Sequence, residues 1–365
     1  MKEKSILQMW PWFGEEEKIA FNSYMESGGW ITEFNKTRDF EETIAEYVGA
    51  KHCIVVNNGT ISLTLAALAC EIVAGDEVIV PNYTMVATPN SVKFFGAVPV
   101  FVDVEPETLC LNIELVRKAI TPRTKAIMLV SANGRYPLAG IECFDNFCEE
   151  NNLWLIEDAA QSLGSFYPDG RHIGRAGNVG SFSFSMPKII STGQGGALIT
   201  DDDEIAFKLR RLKDFGREKG GLDIHESIGF NFKFTDLQAV IGIEQMKKLT
   251  WRVERKKDIM RLYQENLDNL NQLKFFEQDL ENTTPWFIDV MAEKRDELMD
   301  NLKRRGIGTR VMYPPLNEQK AYHISGCYPV SKSVGEKGLW LPSASQLSDQ
   351  QVVHICSVIA DYYKI

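Results

Sequence analysis

No run in the 365 residues approaches the roughly 18 consecutive apolar residues that a membrane-spanning helix needs, so a membrane span is excluded. The opening MKEKSILQMW has two lysines but no sustained apolar core, and does not read as a secretory signal. Positive charge is also short. Forty Lys and Arg against 50 Asp and Glu leave a formal net charge of -10, which argues against a nucleic-acid or anionic-membrane partner. The seven cysteines (Cys53, Cys70, Cys110, Cys143, Cys148, Cys327, Cys356) are odd in number and scattered, as expected of reduced core thiols in the cytoplasm. The five histidines (His52, His172, His225, His323, His354) form no HExxH spacing, and His52–Cys53 is the one close His/Cys pair, so no metal site is expected. A dinucleotide fingerprint is missing too. GxGxxG does not follow the first strand, where NNGTIS has a single glycine, which weighs against a nicotinamide-dependent sugar oxidoreductase.

What is present is an ordinary globular composition, 44% hydrophobic, at a length that favours one large domain plus a smaller one. Residues 15–27 carry apolar residues at helical spacing and run into Gly28-Gly29, and residues 38–49 read as a second helix. From His52 the pattern alternates strand and helix: CIVVNN, a helix near 60–71, EVIVP, a helix near 86–95, VPVFVDV, KAIMLV, a helix over 144–151, LWLIED. Such alternation predicts an α/β fold with a mainly parallel sheet covered by helices on both faces, and ligands at the C-terminal strand ends. After SFSFS and ALITD, helices dominate from about Asp203 to Asn271, interrupted by a polar, Gly-rich loop around Lys219 to Gly229. One long helical stretch is expected from Thr235 to about Leu270. The remainder reads as α+β: WFIDVM, the helix EKRDELMDNLKRRG, GTRVMY, and a closing helix from Asp349 to Tyr363. The expected domains are residues 1–250 and a smaller C-terminal α+β domain, 251–365.

Two segments carry the chemistry. GSFSFSMPKIISTGQGG places Lys188 in a Gly-rich turn after a strand-like run, and LWLIEDAAQSLGS ends a buried strand in Glu157 and Asp158. A lysine on a loop beside a carboxylate at a strand end is what pyridoxal phosphate requires. The amine forms a Schiff base, and the carboxylate keeps the pyridine nitrogen protonated so that the ring absorbs carbanion charge. Either feature alone is usually a solvated charge or a turn cap.

Further candidates surround this pair. NNGTISLTLA follows a strand and opens a helix, with Gly59 allowing close backbone approach and Thr60 adding a hydroxyl, either a phosphate cradle or a plain helix cap. Tyr83 ends a strand in PNYTMVATPNSV, where an aromatic stacks on a ring or belongs to the core. Gln161 lies three residues beyond Asp158, where it either points into the same cleft and donates to a phenolate oxygen or is a surface amide. Ser183 alternates with Phe182 and Phe184, so its hydroxyl faces away from both rings. Asn231 sits in the aromatic-rich GFNFKFTDLQAVIG just before a helix, either a loop tip or a side chain delivered to a neighbouring site, and GTRVMYPPLN sets Arg310 and Tyr313 on a strand suited to an anionic substrate group or to a surface ion pair.

Taken together, NNGTISL, PNYTMVAT, AITPRTKAIMLV, IEDAAQSLGS, SFSFSMPKIISTGQGG, GFNFKFTDLQAVIG with its following QMKKL, and the R-x-x-Y-P pattern at Arg310 resemble the DegT/DnrJ/EryC1/StrS family of nucleotide-sugar aminotransferases, over nearly the whole chain. SGGWIT and KGLWLPS resemble the members that aminate C4 of a 4-keto-6-deoxyhexose. The resemblance implies a fold-type I enzyme with Lys188 as the Schiff-base lysine and Asp158 as the pyridinium partner. It makes Gln161 the neighbour of the ring hydroxyl, Gly59, Thr60 and Ser183 the phosphate binders, and Tyr83 the stacking residue. An asparagine from the other subunit completes each site in family dimers, which implies a homodimer in which Asn231 reaches across. Three departures stand out: Ser131 where the family usually has histidine, Gln194 where glutamate is common, and Asn35 in place of a glycine. Lysine at 188 disfavours the 3-dehydratase branch, which has histidine there.

The implied activity is transfer of an amino group from an amino acid, glutamate by expectation, to the C4 keto group of a nucleotide-linked 4-keto-6-deoxyhexose, giving a perosamine- or viosamine-type product used for O-antigen. C3 amination and a non-catalytic, cofactor-binding regulator are the alternatives.

Overall fold

A computed structural model describes residues 5–218, 221–322 and 324–364. His323, Lys219, Gly220 and the first four residues of MKEKSILQMW therefore lie outside the described residues.

The larger unit is built on a seven-stranded sheet of β1 (His52–Val56), β2 (Glu77–Pro81), β3 (Val98–Val102), β4 (Thr124–Val130), β5 (Trp154–Asp158), β6 (Val179–Ser183) and β7 (Gly196–Thr200), in the order β1-β7-β6-β5-β4-β2-β3. Only β7 runs against the others. Alternate residues feed two apolar layers. Val55, Ile79, Ile127, Leu155 and Ile199 face one, and Ile54, Val78, Met128, Ile156 and Leu198 face the other. Strands apolar on both faces must be covered on both, and the helices do this.

Twelve helices are described: α1 (Glu15–Glu26), α2 (Asn35–Val48), α3 (Gly59–Ala69), α4 (Ala87–Lys93), α5 (Ile113–Ala119), α6 (Ile141–Asn151), α7 (Asp203–Lys213), α8 (Asp236–Lys247), α9 (Leu249–Leu267), α10 (Arg295–Arg304), α11 (Pro329–Lys337) and α12 (Asp349–Tyr363). Helix α2 brings Phe40 and Ile44 to the first layer, while α3 and α7 bring Leu63, Leu65, Ile205 and Leu209 to the second. The stretch expected as one helix from Thr235 is two, α8 and α9, broken at Lys248. The Lys248 ammonium is pulled onto Glu16 at 2.9 Å and Glu17 at 2.7 Å, tying the break to α1.

The smaller unit has an antiparallel sheet of β8 (Leu273–Phe275), β9 (Ile288–Ala292), β10 (Arg310–Val311) and β11 (Gly338–Leu341), ordered β10-β11-β9-β8, with α9, α10 and α12 packed on it. GTRVMY keeps only two strand residues, at an edge that ends in Pro314-Pro315, which have no N–H to extend a ladder. Ile6 pairs with Ile307, so the first described residues sit on this unit, although 1–250 was the expected extent of the large domain.

The units are locked at a buried polar hub. Arg135 reaches Asp289 at 2.6 Å, with both side chains almost fully buried. Asn133, at φ 55, accepts from the Phe287 N–H at 2.6 Å and donates to Asp289 at 3.0 Å.

His172 is buried among Tyr47, Phe166 and Phe182. Its Nε2 accepts the Gly164 N–H at 2.9 Å, so Nδ1–H donates to the Ile173 carbonyl. Burial pushes its pKa down to about 4 from an ordinary 6.5. The unfolded chain thus takes up a proton first as pH falls. Stability present above pH 6.5 should drain away toward pH 4, by about 3 kcal/mol from this residue alone. Urea midpoints of the wild type and His172→Gln across that range check it, the variant losing the His172 share of the slope.

Candidate active site

Strands of one direction place their C-terminal ends together, and the reversed β7 brings its N-terminal end to the same rim. Ser183 at the end of β6 pairs with Gly196 at the start of β7, and Val56 at the end of β1 pairs with Gly196 from the other side. The connection from β6 to β7 carries Lys188 and leaves and re-enters the sheet at this rim, so the lysine stays over it.

Asp158 ends β5, beside Val130 at the end of β4. Its carboxylate is 5% exposed and accepts from the Thr88 hydroxyl at 2.8 Å and the Ala160 N–H at 3.2 Å. Burial raises its pKa, with the Thr88 bond and the charge of Lys188 opposing. Its neighbour Glu157 points to the opposite face and is held by Tyr167 and the N–H groups of Gly174, Ala176 and Gly177. Adjacent carboxylates thus divide: Glu157 is fully engaged by the fold, and Asp158 keeps acceptor capacity for a further partner.

Lys188 is half-buried, with Nζ 4.3 Å from the centre of the Trp286 ring. The indole is fixed by its N–H, which donates to the Pro187 carbonyl at 2.7 Å. Burial lowers the Lys188 pKa to about 8, against the attraction of Asp158. Lys188, Gln161, Ser183, Ala160 and Trp286 line one cavity. The Gln161 carbonyl accepts from the Asn133 N–H at 2.7 Å, leaving its NH₂ to donate outward.

Gly59 and Thr60 open α3, whose cap Asn58 accepts from the Ile61 N–H at 2.9 Å. Among the described residues the N–H groups of Gly59 and Thr60 have no such partner. A Cβ at Gly59 would stand 2.8 Å from Ser183 Cβ and 3.1 Å from its hydroxyl, so only glycine lets the helix start approach Ser183 this closely. Two open amides at a helix N-terminus beside a hydroxyl fit a phosphate group.

Tyr83 lands elsewhere. It is 4% exposed, its ring 5.9 Å from Tyr313 in an apolar cluster with Phe287 and Trp340, and so has no open face to stack on a ligand. The exposed side chains of that turn are Met85, at 46%, and Val86, at 36%. Tyr313 is half-buried, edge-on to Trp340 at 4.8 Å, and its pKa is raised by burial and by the charge of Asp158. Arg310 is exposed, its guanidinium 5.3 Å from the centre of the Trp340 ring. Asn231 is not brought to Lys188. It lies on an exposed loop, bridged to Asp214, next to the exposed Ile228 and Phe230. Ser131 is fully buried and its hydroxyl has no partner among the described residues.

Thr88, Asn133 and Trp286 were missed in the sequence. Thr88 lies inside PNYTMVAT, where Tyr83 drew the attention, but nothing local to Asn133 or Trp286 points to Gln161 or Lys188.

The DegT/DnrJ/EryC1/StrS aminotransferase family model matches residues 12–360. The chain belongs to that family. It is therefore an enzyme, a transaminase, of fold type I. It is 34% identical over 352 residues to GDP-perosamine synthase of Escherichia coli O157:H7, covering 95% of this chain and 96% of that one. To GDP-perosamine synthase of Vibrio cholerae it is 34% identical over 359 residues, with 96% of each covered. The solved S. venezuelae DesV, in complex with a ketimine intermediate, superposes with TM-score 0.90 at 31% identity, covering 96% of this chain and 95% of that one.

Proposed function

We propose that the enzyme binds pyridoxal phosphate and transfers an amino group from an amino acid, glutamate by preference, to the C4 keto group of a nucleotide-linked 4-keto-6-deoxyhexose. The observation that carries this is the charge-coupled pair Lys188 and Asp158 beside the Gly59–Thr60–Ser183 cradle. Likeness to GDP-perosamine synthases over nearly the full length supports C4 over C3.

The chemistry supplied by bound pyridoxal phosphate is an electron sink that makes a carbon–hydrogen bond next to nitrogen acidic. The residues do the rest. Gly59, Thr60 and Ser183 hold the phosphate. Asp158, braced by Thr88, holds the ring N–H. Gln161, turned by Asn133, donates to the ring oxygen. Lys188, with its pKa lowered toward neutrality, accepts a proton at Nζ and returns it. Arg310 and Tyr313 stand at the rim for an anionic substrate group. The exposed apolar residues around Asn231 suit a second subunit, from which Asn231 reaches the neighbouring site.

Incubation with glutamate and a panel of 4-keto-6-deoxy and 3-keto-6-deoxy sugar nucleotides, read by mass, tests the reading. C4 amino sugars are expected, and cofactor bound without any turnover sinks it. Gly59→Ala should weaken pyridoxal phosphate binding by about 10-fold or more, because the new methyl forces Ser183 away and one charge-assisted bond is lost. Fluorescence titration of the apoenzyme reads this directly.

A further inference from the structure

A second cavity shares the lining residues Lys188 and Ile189 with the first, and two basic side chains line it, Arg252 and Lys256. They are 4% and 5% exposed. Counting donors shows what each has left. Arg252 gives Nη1 hydrogens to the Ile189 carbonyl at 2.8 Å and Gln245 Oε1 at 2.7 Å, and one Nη2 hydrogen to the Trp12 carbonyl at 2.9 Å. Of five guanidinium hydrogens, one on Nη2 and the one on Nε remain, and Nε is buried without a partner. Lys256 gives two of its three hydrogens to the carbonyls of Trp286, at 2.8 Å, and Ser343.

Among the described residues neither cation has a carboxylate at ion-pair distance. Glu17, whose charge acts on Arg252, is held by Lys248, the Gly14 N–H and Gln245. Burial lowers the Arg252 pKa to about 10, and burial with the Arg252 charge lowers that of Lys256 to about 7. Keeping charge on both groups in this buried spot is costly, and an anion bound to them offsets that cost and holds Lys256 protonated. Size limits the choice. The cavity volume of about 30 Å³ is two to three times the roughly 10–15 Å³ one ordered water needs. It takes the two oxygens of a carboxylate but not a diphosphate or a sugar.

We propose that the open edge of Arg252 and the third hydrogen of Lys256 bind the distal carboxylate of a dicarboxylic amino donor. This rests on the aminotransferase reading above and extends it to the donor. The donor's amino end lies in the cavity with Gln161 and Ser183, its acid end lies in this one, and Lys188 stands at the junction. Nε–H and Nη2–H receive a carboxylate side-on, a geometry that lysine cannot reproduce.

Calorimetry on the holoenzyme with glutarate, and with valerate as the one-carboxylate control, tests it without turnover. Glutarate should bind more tightly than valerate, and Arg252→Gln and Lys256→Met should each weaken glutarate by at least about 10-fold with little change for valerate. The KM for glutamate should rise by a similar factor, with that for alanine unchanged. Arg252→Lys, which keeps the charge, guards against loss of folding and should fall between wild type and Arg252→Gln. Chloride should compete with glutarate on the wild type. Equal losses for both acids, equal KM changes for both donors, or no competition by chloride would overturn the proposal. These failures are separable from failure of the proposed function, which shows as no amino transfer from any donor while glutarate binding keeps its dependence on Arg252.

Discussion

Lys188→Arg should yield a folded protein whose amino transfer falls by at least about 10⁴-fold, the combined loss of a nucleophile and a positioned base. The side chain does two jobs that both need a neutral amine. Burial brings its pKa to about 8, so roughly a tenth is neutral at pH 7 and about half at pH 8. Arginine stays protonated throughout and presents a planar, delocalised cation. The wild-type rate should therefore climb between pH 7 and 9, and the arginine variant should show no such limb.

The covalent part is read separately. Borohydride reduction followed by peptide mapping should fix the coenzyme on the peptide containing Lys188 in the wild type and nowhere in the variant. Because the residue is half-buried over Trp286 on a connection between strands, the substitution should move the thermal midpoint by only a few degrees. An arginine variant that retained turnover would remove the basis of the proposed function.

How much of this was legible follows from the range of the signals. The limits of α12 agree with the expected Asp349 to Tyr363 because Ser348 and Gln351 form a local capping box. Asp158 and Ser183 stand at strand ends because the apolar runs before them stop there. Lys248 carries no breaker chemistry, and its break depends on Glu16 and Glu17 far back in the chain, so α8 and α9 read as one helix. Tyr83 was placed at the right strand end but given the wrong neighbour. An aromatic there stacks or packs, and only the fold, by setting Tyr313 and Phe287 against it, decides for packing. Arg252 and Lys256 were likewise invisible. On α9 they look like two more charges on a polar helix, and it is the N-terminal segment at Trp12 and the return of the chain at Ser343 that bury them.

Asp158→Asn should lower turnover by about 10³-fold, the order expected when a preorganised charge is removed from a developing one, while leaving cofactor binding largely intact. The carboxylate is buried, receives two hydrogen bonds, and is pushed toward its neutral form. A protonated ring nitrogen supplies the missing compensation, and each charge holds the other in place. Asparagine has no charge with which to keep that nitrogen protonated, so the electron sink weakens although the amide is nearly isosteric. Because Gly59, Thr60 and Ser183 are untouched, the coenzyme should stay bound, with an altered absorbance that reports the lost ring proton. Glu157→Gln is the internal control one residue away. Its four donors are all structural, so turnover per folded molecule should persist while the denaturation midpoint drops, by about 2 kcal/mol of stability. If the two variants instead behaved alike, with both merely less stable, the assignment of Asp158 to the ring nitrogen would be wrong.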